Sequence, residues 1–501
     1  MTVVDAARPN QPPEHTDGDP APSSVHDLPV GLSTTGTRAE FDSLGTVAVP
    51  ADHYWGAQTQ RSLEHFDIGD DRMPVEVYHA YGYVKKAASI VNERAGRLPA
   101  WKARLIQRVS DEVIGGALDA EFPLYVWQTG SGTQSNMNVN EVISNRCIQL
   151  LGGELGSQTP VHPNDHVNMG QSSNDTFPTA MHLAGYAMLT DKTLPALRAL
   201  RNALDAKSQQ WAAVVKIGRT HLEDATPLTV GQEWSGYVGA LDDAIADLEH
   251  ATAGLLQVAM GGTAVGTGLN APVGFGEEVA GVLADLTGFP ITTATNKFTA
   301  QGTLDRMVRG HASLKAAAVT LFKIANDLRW LGSGPRTGFM ELLLPANEPG
   351  SSIMPGKVNP TQAEAMLMVC IQIMASDVAV QMGGAEGNFE LNAFRPIIVD
   401  NYLHSARIMA DGCDRFRTFM VEGTQLNEQQ LADNIDRSVM MVTALSPVIG
   451  YDQASTIAHH AIDHNTTLKV AALANGVSEA LFDRIVVPIE MTHPGSADIP
   501  A

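Results

Sequence analysis

The hydrophobic residues in the middle of the chain recur at intervals of three and four positions. This spacing is typical of α-helices that pack along the seam of a bundle. The longer of two such stripes extends over about 28 residues, which at 1.5 Å per residue corresponds to a helix of about 42 Å. We therefore expect a mainly α protein with a long central helix bundle, and we interpret His311 as a core histidine rather than a ligand. The first stripe contains Trp234, Val238, Leu241, Ile245, Leu248 and Leu255, and the second contains Leu304, Met307, His311, Leu314, Ala318, Leu321, Leu328 and Leu331.

The pattern changes towards both ends of the chain. Residues 1–37 are rich in proline and carry Arg8 as their only lysine or arginine, so we expect a disordered tail without a role in chemistry. The tail has neither the apolar run of a secretory signal nor the arginines of a transit peptide. Short β-prone pieces and turns occupy Phe41–Ser62, and helical patterning begins near Pro74. The predicted division is an N-terminal mixed domain at 38–171, a central helix-bundle domain at 172–428, and a small C-terminal helical domain and tail at 429–501.

The segment Thr361–Val380 is apolar on nearly every side, which predicts a helix that is buried all round. Glu364 is the only acid between Thr361 and Ser376. A carboxylate in a buried helix is costly unless it is paired or used, so we favour a functional role over a simple helix-start charge. Uninterrupted apolar runs do not reach about 18 residues, and we therefore expect no membrane-spanning segment.

Charge and cysteine content limit the partners and the compartment. The formal net charge of −22 disfavours nucleic acid and an anionic membrane surface as partners, because both require a basic face. Cys147, Cys370 and Cys413 are far apart and are interpreted as small buried hydrophobic residues of a protein in a reducing compartment, the cytoplasm. Any anion site in so acidic a chain must be built locally, from amide donors and a few cations.

Four segments gather glycine and small polar residues where helices should begin. Backbone N–H groups at a helix N-terminus bind carboxylate or phosphate well. Each segment alone can be a capped helix start. Together they favour a site for an anion, because they or their flanks contain His221, Lys357 and Glu364, which can move protons or pair with an anion. The segments are Thr129–Asn138, His162–His166 with Gln171–Asp175, Gly218–Pro227 and Gly350–Pro360.

Other kinds of site are disfavoured. Gly261–Gly268 is similar to a phosphate-binding loop but lacks a following Lys-Ser or Lys-Thr, so we interpret it as a tight structural loop. His162 and His166 have the spacing of metal ligands on a helix, but Pro163 argues against a helix there, and no carboxylate cluster supports a metal. No Gly-x-Ser-x-Gly elbow of a serine hydrolase is present. We predict neither a metal nor a cofactor.

The segment GSSIMPGKVNP at Gly350–Pro360 resembles the signature of the fumarase/aspartase superfamily, and Gly130–Asn138, Gly218–His221 and Pro355–Lys357 resemble class II fumarases. The resemblance extends from about Arg38 to Met491. It implies a mainly α, three-domain fold with a long central bundle, assembled as a homotetramer whose active sites combine segments of different subunits. It also implies a hydro-lyase that interconverts fumarate and malate in the tricarboxylic acid cycle. An ammonia-lyase of the same superfamily and a non-catalytic relative remain as alternatives.

By that resemblance, Ser351 is the general base, His221 acts on the hydroxyl side through a bound water, and Glu364 holds His221. A serine hydroxyl is a poor base, so Ser351 requires aimed N–H groups and Lys357 nearby. Lys357 and Asn359 clamp a substrate carboxylate. The remaining substrate-binding residues implied by the resemblance are Ser131, Gly132, Thr133, Ser172, Ser173, Asn174, Thr220, Ser352 and Val358.

The resemblance also implies a second, weaker dicarboxylate site at His162, Pro163, Asn164 and Asp165. Some members of the family have an arginine three residues before this histidine, where this chain has Thr159. The departure weakens the expected affinity of that site for anions. Glu223 is another departure, because relatives often carry a neutral residue there.

Overall fold

The computed structural model describes residues 24–495. These residues form seventeen α-helices and four two-stranded sheets, so the predicted mainly α fold is confirmed. The helices are α1 Ala57–His65, α2 Val75–Arg94, α3 Ala100–Ile114, α4 Thr133–Leu150, α5 Ser173–Met188, α6 Leu194–Gln210, α7 Val230–Ala253, α8 Phe275–Thr287, α9 Lys297–Gly302, α10 Asp305–Leu331, α11 Thr361–Ala385, α12 Arg395–Phe416, α13 Glu428–Arg437, α14 Ser446–Ile449, α15 Tyr451–Asp463, α16 Leu468–Ala474 and α17 Glu479–Ile485. The strands are β1 Thr37–Asp42, β2 Gly45–Pro50, β3 Val215–Thr220, β4 Glu223–Thr229, β5 Gln257–Val258, β6 Thr292–Thr293, β7 Leu342–Leu343 and β8 Gln425–Leu426.

The described chain divides into two compact units. The first contains residues 24–186, 254–308 and 379–403, and the second contains 187–253, 309–378 and 404–495. Within the second unit, Leu445, Ile457, Ala471 and their neighbours pack a small core of their own between Met441 and Ile485. The predicted three-domain boundaries stay predictions, although this small core lies where the C-terminal domain is expected.

Both predicted hydrophobic stripes are buried. Every residue of the first stripe is buried, and five of its six members lie on α7, from Trp234 to Leu248. Every residue of the second stripe is also buried, and α10 extends over 27 residues, close to the predicted length. His311 is buried among them, where its Nδ1 lies 2.9 Å from Asp377 Oδ1 and its Nε2 lies 2.9 Å from Ser405 Oγ. The interpretation of His311 as a core residue is confirmed.

The N-terminal part contains the predicted β-prone pieces followed by helices. β1 and β2 form an antiparallel hairpin, and α2 begins at Val75, directly after Pro74. Tertiary contacts begin before Arg38, the predicted start of order. The guanidinium of Arg146 donates hydrogen bonds to the carbonyls of Leu28 and Pro29. The first 23 residues of the predicted proline-rich tail lie outside the described residues.

Helix α11 differs from its prediction. Its residues Met368, Ile371, Val378 and Met382 are 54–65% exposed in the single chain, so the expectation of a helix buried on every side is wrong. Its length and composition would also allow it to cross a membrane, contrary to the expectation that no segment could, although a single apolar helix is weak evidence for a membrane. An exposed apolar stripe on a long helix is the usual mark of a surface that another chain covers.

Candidate active site

The loop before α4 carries the first set of predicted substrate-binding residues. Gly132 has φ of +78°, and a Cβ there would lie 2.1 Å from the ring of Phe177. Only glycine fits, so the chain can turn tightly and present Ser131 and Thr133 at the start of the helix. The hydroxyls of Ser131 and Thr133 lie 2.8 Å apart. The loop therefore holds two hydroxyls and the N-terminus of a long helix in one place.

The second set lies at the start of α5. The buried carboxylate of Asp175 accepts the N–H groups of Ser172 at 2.9 Å and Thr263 at 3.0 Å, and burial raises its pKa to about 6. Asn174 donates from Nδ2 to the carbonyl of Ala264 at 2.7 Å. The glycine-rich loop 261–268 thus holds Asn174 directly and Ser172 through Asp175. The prediction of a structural loop at these positions is consistent with these contacts, but its position beside the site was not predicted.

A cavity of about 1190 Å³ in the first unit is lined by residues of both predicted anion sites. Ser172 and Ser173 line it together with Asn164 and Asp165 of the predicted second dicarboxylate site. Two cations, Arg97 and Lys102, also line it, and sequence reasoning missed both.

The predicted second site has a well-defined backbone. His162 Nδ1 accepts the N–H groups of Asn164 and Asp165, each at 3.2 Å, and Pro163–Val167 form a π-helical turn. His166 Nε2 lies 3.0 Å from the ammonium of Lys102. Between residues 24 and 495 no group of three or more His, Cys, Asp or Glu side chains could hold a metal.

His221 lies at the tip of the hairpin formed by β3 and β4. Its φ is +60° and that of Leu222 is +66°, the pair of left-handed residues that a two-residue hairpin loop requires. Gly, Asn, Asp and His enter this region more readily than other residues, whereas a bulky residue such as Leu222 is strained there. Lys216 and Arg219 anchor β3 to the buried carboxylate of Glu341 at 2.9 and 2.6 Å.

The strain at this turn presents a histidine to solvent. Within the described residues, no hydrogen bond or ion pair involves His221 or joins it to Glu364. Both side chains are exposed, and so is Thr220 beside the tip. The predicted contact between His221 and Glu364 is therefore not made within the described chain.

Ser351 lies in the exposed loop between β7 and α11. Its Oγ accepts the N–H of Met354 at 3.0 Å and that of Ile353 at 3.3 Å. Two backbone donors aimed at one hydroxyl oxygen stabilise negative charge on that oxygen. This is the environment that a serine base requires.

The same loop holds the predicted carboxylate clamp. Lys357 donates from Nζ to Asn359 Oδ1 at 2.6 Å, and Asn359 donates from Nδ2 to the carbonyl of Gly350 at 2.8 Å. The N–H of Gly350 returns to the carbonyl of Lys357 at 2.8 Å. Ser352 and Val358 are exposed, and Ser351, Lys357 and Val358 line a cavity of about 410 Å³.

Two buried cations behind the first two sets were missed in the sequence. Arg395 donates from Nη1 to the carbonyls of Ser131 at 3.3 Å and Ser173 at 3.4 Å, and so ties the two sets together. Burial lowers the pKa of Arg395 to about 10. Lys85 is fully buried on α2. The position of Lys85 was a usable signal in the sequence, because this lysine lies on the apolar stripe of α2, four residues after Tyr81.

Comparison with known proteins places the chain in a family. A family model described as Lyase matches residues 45–375, and one described as Fumarase C C-terminus matches residues 441–493. The class II fumarate hydratase of Methanosarcina acetivorans is 64% identical over 95% of this chain and 99% of the relative. The chain belongs to the class II fumarate hydratase family.

Two further relatives agree with this membership. The class II fumarate hydratase of Myxococcus xanthus is 55% identical over 93% of this chain and 100% of the relative. The crystal structure of a class II fumarase from Schistosoma mansoni is 42% identical and covers 92% of this chain and all of its own, with a TM-score of 0.90. The predicted family resemblance and the predicted fold are confirmed by these matches over nearly the whole chain.

Proposed function

We propose that this chain is a fumarate hydratase, a lyase that reversibly adds water to fumarate to form (S)-malate in the tricarboxylic acid cycle. The observation that carries the proposal is the 64% identity to a class II fumarate hydratase over almost the full length of both chains. The donor sets at the starts of α4 and α5 suit a small dicarboxylate, because hydroxyls and helix N-termini bind carboxylates without a basic surface.

We propose Ser351 as the general base. In the dehydration direction, its oxygen takes a proton from the malate carbon beside a carboxylate, and the electron pair moves into that carboxylate. The N–H groups of Ile353 and Met354 support this role, because they stabilise the charge that a serine must carry to act as a base. Lys357 and Asn359, whose side chains are hydrogen-bonded to each other, would stabilise the negative charge that develops on the substrate carboxylate.

We propose that His221 serves the hydroxyl side, delivering through a bound water the proton that lets the hydroxyl leave as water. The support is the exposed turn, in which the left-handed φ of Leu222 strains the backbone next to His221, since backbone strain is a mark of functional sites. Glu364 would orient His221 in the assembled protein.

We also propose roles for the remaining predicted residues. Ser131, Gly132, Thr133, Ser172, Ser173, Asn174, Thr220, Ser352 and Val358 would surround the substrate. His162, Pro163, Asn164 and Asp165 would form the second, weaker dicarboxylate site. Its weakness follows from Thr159, which supplies no charge, although Lys102 and Arg97 line the same cavity.

We propose that the protein is a homotetramer with shared active sites. The apolar stripe of α11, with Met368, Ile371 and Met382 exposed, supports burial against further copies of the chain. In sedimentation velocity, Met368→Lys should shift the protein towards smaller species and reduce turnover in parallel. Ile462→Lys, which changes a similarly apolar and exposed residue on α15, is the control. A fully active monomer would overturn the proposal.

We place the enzyme in the cytoplasm. Cys147, Cys370 and Cys413 are all buried and unpaired, which suits a reducing compartment. We propose no partner besides the small dicarboxylate substrate and further copies of the chain.

The deciding experiment offers the purified protein malate and aspartate separately and follows the ultraviolet absorbance of fumarate. We expect fumarate from malate only. Fumarate from aspartate would assign the chain to the ammonia-lyases, and fumarate from neither would indicate a non-catalytic relative.

A further inference from the structure

Lys85 lies fully buried beneath the cavity that contains Ser173. Its ammonium donates to Asn136 Oδ1 at 2.7 Å, Gln171 Oε1 at 2.9 Å and Asn168 Oδ1 at 3.0 Å. Three acceptors use all three N–H groups of an ammonium, which has no lone pair to offer. No carboxylate within the described residues forms a direct ion pair with Lys85, so its hydrogen bonds go to side-chain amides, and the buried carboxylate of Asp175 acts on it only from a longer distance. Burial lowers the pKa of Lys85 to about 7, whereas the charge of Asp175 and the three hydrogen-bond acceptors favour the ammonium form.

The ammonium decides which way the neighbouring amides point. Asn136 must turn its oxygen towards Lys85, so its nitrogen faces the other way and donates to Ser173 Oγ at 3.0 Å and Asn168 Oδ1 at 3.2 Å. A flipped Asn136 would place its NH₂ against the ammonium and its oxygen against the oxygen of Asn168. Both contacts would be repulsive, so only one orientation satisfies the cluster.

The orientation of Asn136 in turn decides the role of Ser173. A hydroxyl oxygen that already accepts a hydrogen bond keeps its own proton for another acceptor. Within the described residues, the Ser173 hydroxyl donates to no side chain or carbonyl, and Ser173 lines the cavity. Its proton is therefore available to an incoming acceptor, such as a carboxylate oxygen.

We infer that Lys85 is a positioning residue for the proposed reaction: acting through Asn136, it commits the Ser173 hydroxyl to donate to a substrate carboxylate. The inference rests on the proposed function and deepens it, because it concerns the same substrate site. Lys85 does not touch the substrate. Its effect reaches the substrate only along the path from Lys85 to Asn136 to Ser173.

The experiment is a double-mutant cycle between Lys85→Met and Ser173→Ala, measured with malate as substrate. Methionine keeps the length and apolar stem of lysine but removes the ammonium. We expect each single variant to raise KM about tenfold, as loss of one hydrogen bond to a charged group does, with a smaller change in kcat. In the double variant the second change should add less than about threefold, because both remove the same donor.

Fully multiplicative effects in the cycle, with wild-type activity intact, would overturn the inference while leaving the proposed function in place. An inactive wild type would instead refute the proposed function. Lys86→Met is the matched control, since Lys86 is the next residue of α2 and pairs with Asp111 at the surface. It should leave KM and kcat unchanged.

A second variant keeps the test decisive if Lys85→Met does not fold. Asn136→Ala interrupts the same path one step closer to Ser173 and leaves the ammonium in place. It should show the same non-additivity with Ser173→Ala. A purely structural role for this cluster would instead lower the melting temperature and leave the KM of the folded fraction unchanged, which would also overturn the inference.

Discussion

The donor cluster at the starts of α4 and α5 and the loop Gly350–Pro360 are built in opposite ways. In the donor cluster, Asn136, Asp175 and Arg395 are buried, and hydrogen bonds from distant parts of the chain to Asp175 and to the Ser173 carbonyl fix the backbone that carries the hydroxyls. In the loop, Ile353 is 82% exposed, and the contacts of Ser351 and Lys357 are with residues of the loop itself. The proposed substrate-binding groups are therefore held in place by long-range contacts within one unit. The proposed base, in contrast, lies on a segment whose shape depends on local hydrogen bonds.

The sharpest test of this comparison is Ser351→Ala in the loop. We expect kcat to fall by about three orders of magnitude with KM nearly unchanged, because removal of a base affects the transition state and leaves the prebuilt donors intact. Steady-state kinetics with malate measures both values. Thr456→Ala, which removes an exposed hydroxyl on α15, is the control. Near-normal turnover in Ser351→Ala would assign the base to another residue.

His221→Asn should give the next largest effect, a fall in kcat of about two orders of magnitude. Asparagine tolerates left-handed φ better than histidine, so the turn should survive while the proton-transfer group is lost. Leu222→Asn is the matched control, since Leu222 has φ of +66° in the same turn. It should keep wild-type kcat and leave the melting temperature equal or slightly higher. Equal losses in the two variants would mean that turn shape rather than the imidazole matters.

The sequence predicted the parts of the fold that periodic burial determines. The stripes on α7 and α10 were found because the seam of a bundle repeats every three or four residues. Helix α11 was misjudged because composition shows that a helix is apolar and does not show which of its faces the same chain buries. Its exposed Met368 and Met382 are as apolar as its buried face.

The residues of the candidate site also divide into those that the sequence predicted and those that it did not. Ser351, Lys357 and His221 could be proposed because they lie in the short segments that carry the family resemblance, and their roles stay predictions. Arg395 could not be found from a motif, and Lys85 only from its place on the apolar stripe of α2, because both lie on ordinary helices and reach the site through contacts distant in sequence. Lys85 is 51 residues from Asn136, and Arg395 is 264 residues from Ser131.

A third prediction tests whether the donor cluster is as tightly built as its contacts indicate. Gly132→Ala should lower the free energy of unfolding by about 3 kcal/mol, since the new Cβ would both strain the backbone and overlap the Phe177 ring. Gly96→Ala is the matched control, because Gly96 has φ of +68° and open space around its Cβ position. Strain alone should then cost about 1 kcal/mol. Denaturant unfolding measures the free energy of unfolding of both variants. Equal losses would show that the Phe177 ring moves aside at little cost and that the donor cluster is not tightly packed.

The smallest expected effect concerns the set Ser405, His311 and Asp377, which has the order of contacts of a catalytic triad but is buried. Ser405→Ala should cost about 1 kcal/mol of stability, the net value of one buried hydrogen bond, and leave kcat and KM unchanged. Asp377 also forms an ion pair with Lys315, so this carboxylate contacts two basic side chains and not the histidine alone. A loss of turnover in a fully folded Ser405→Ala protein would mean that a buried, satisfied histidine can serve function as an exposed, strained one does.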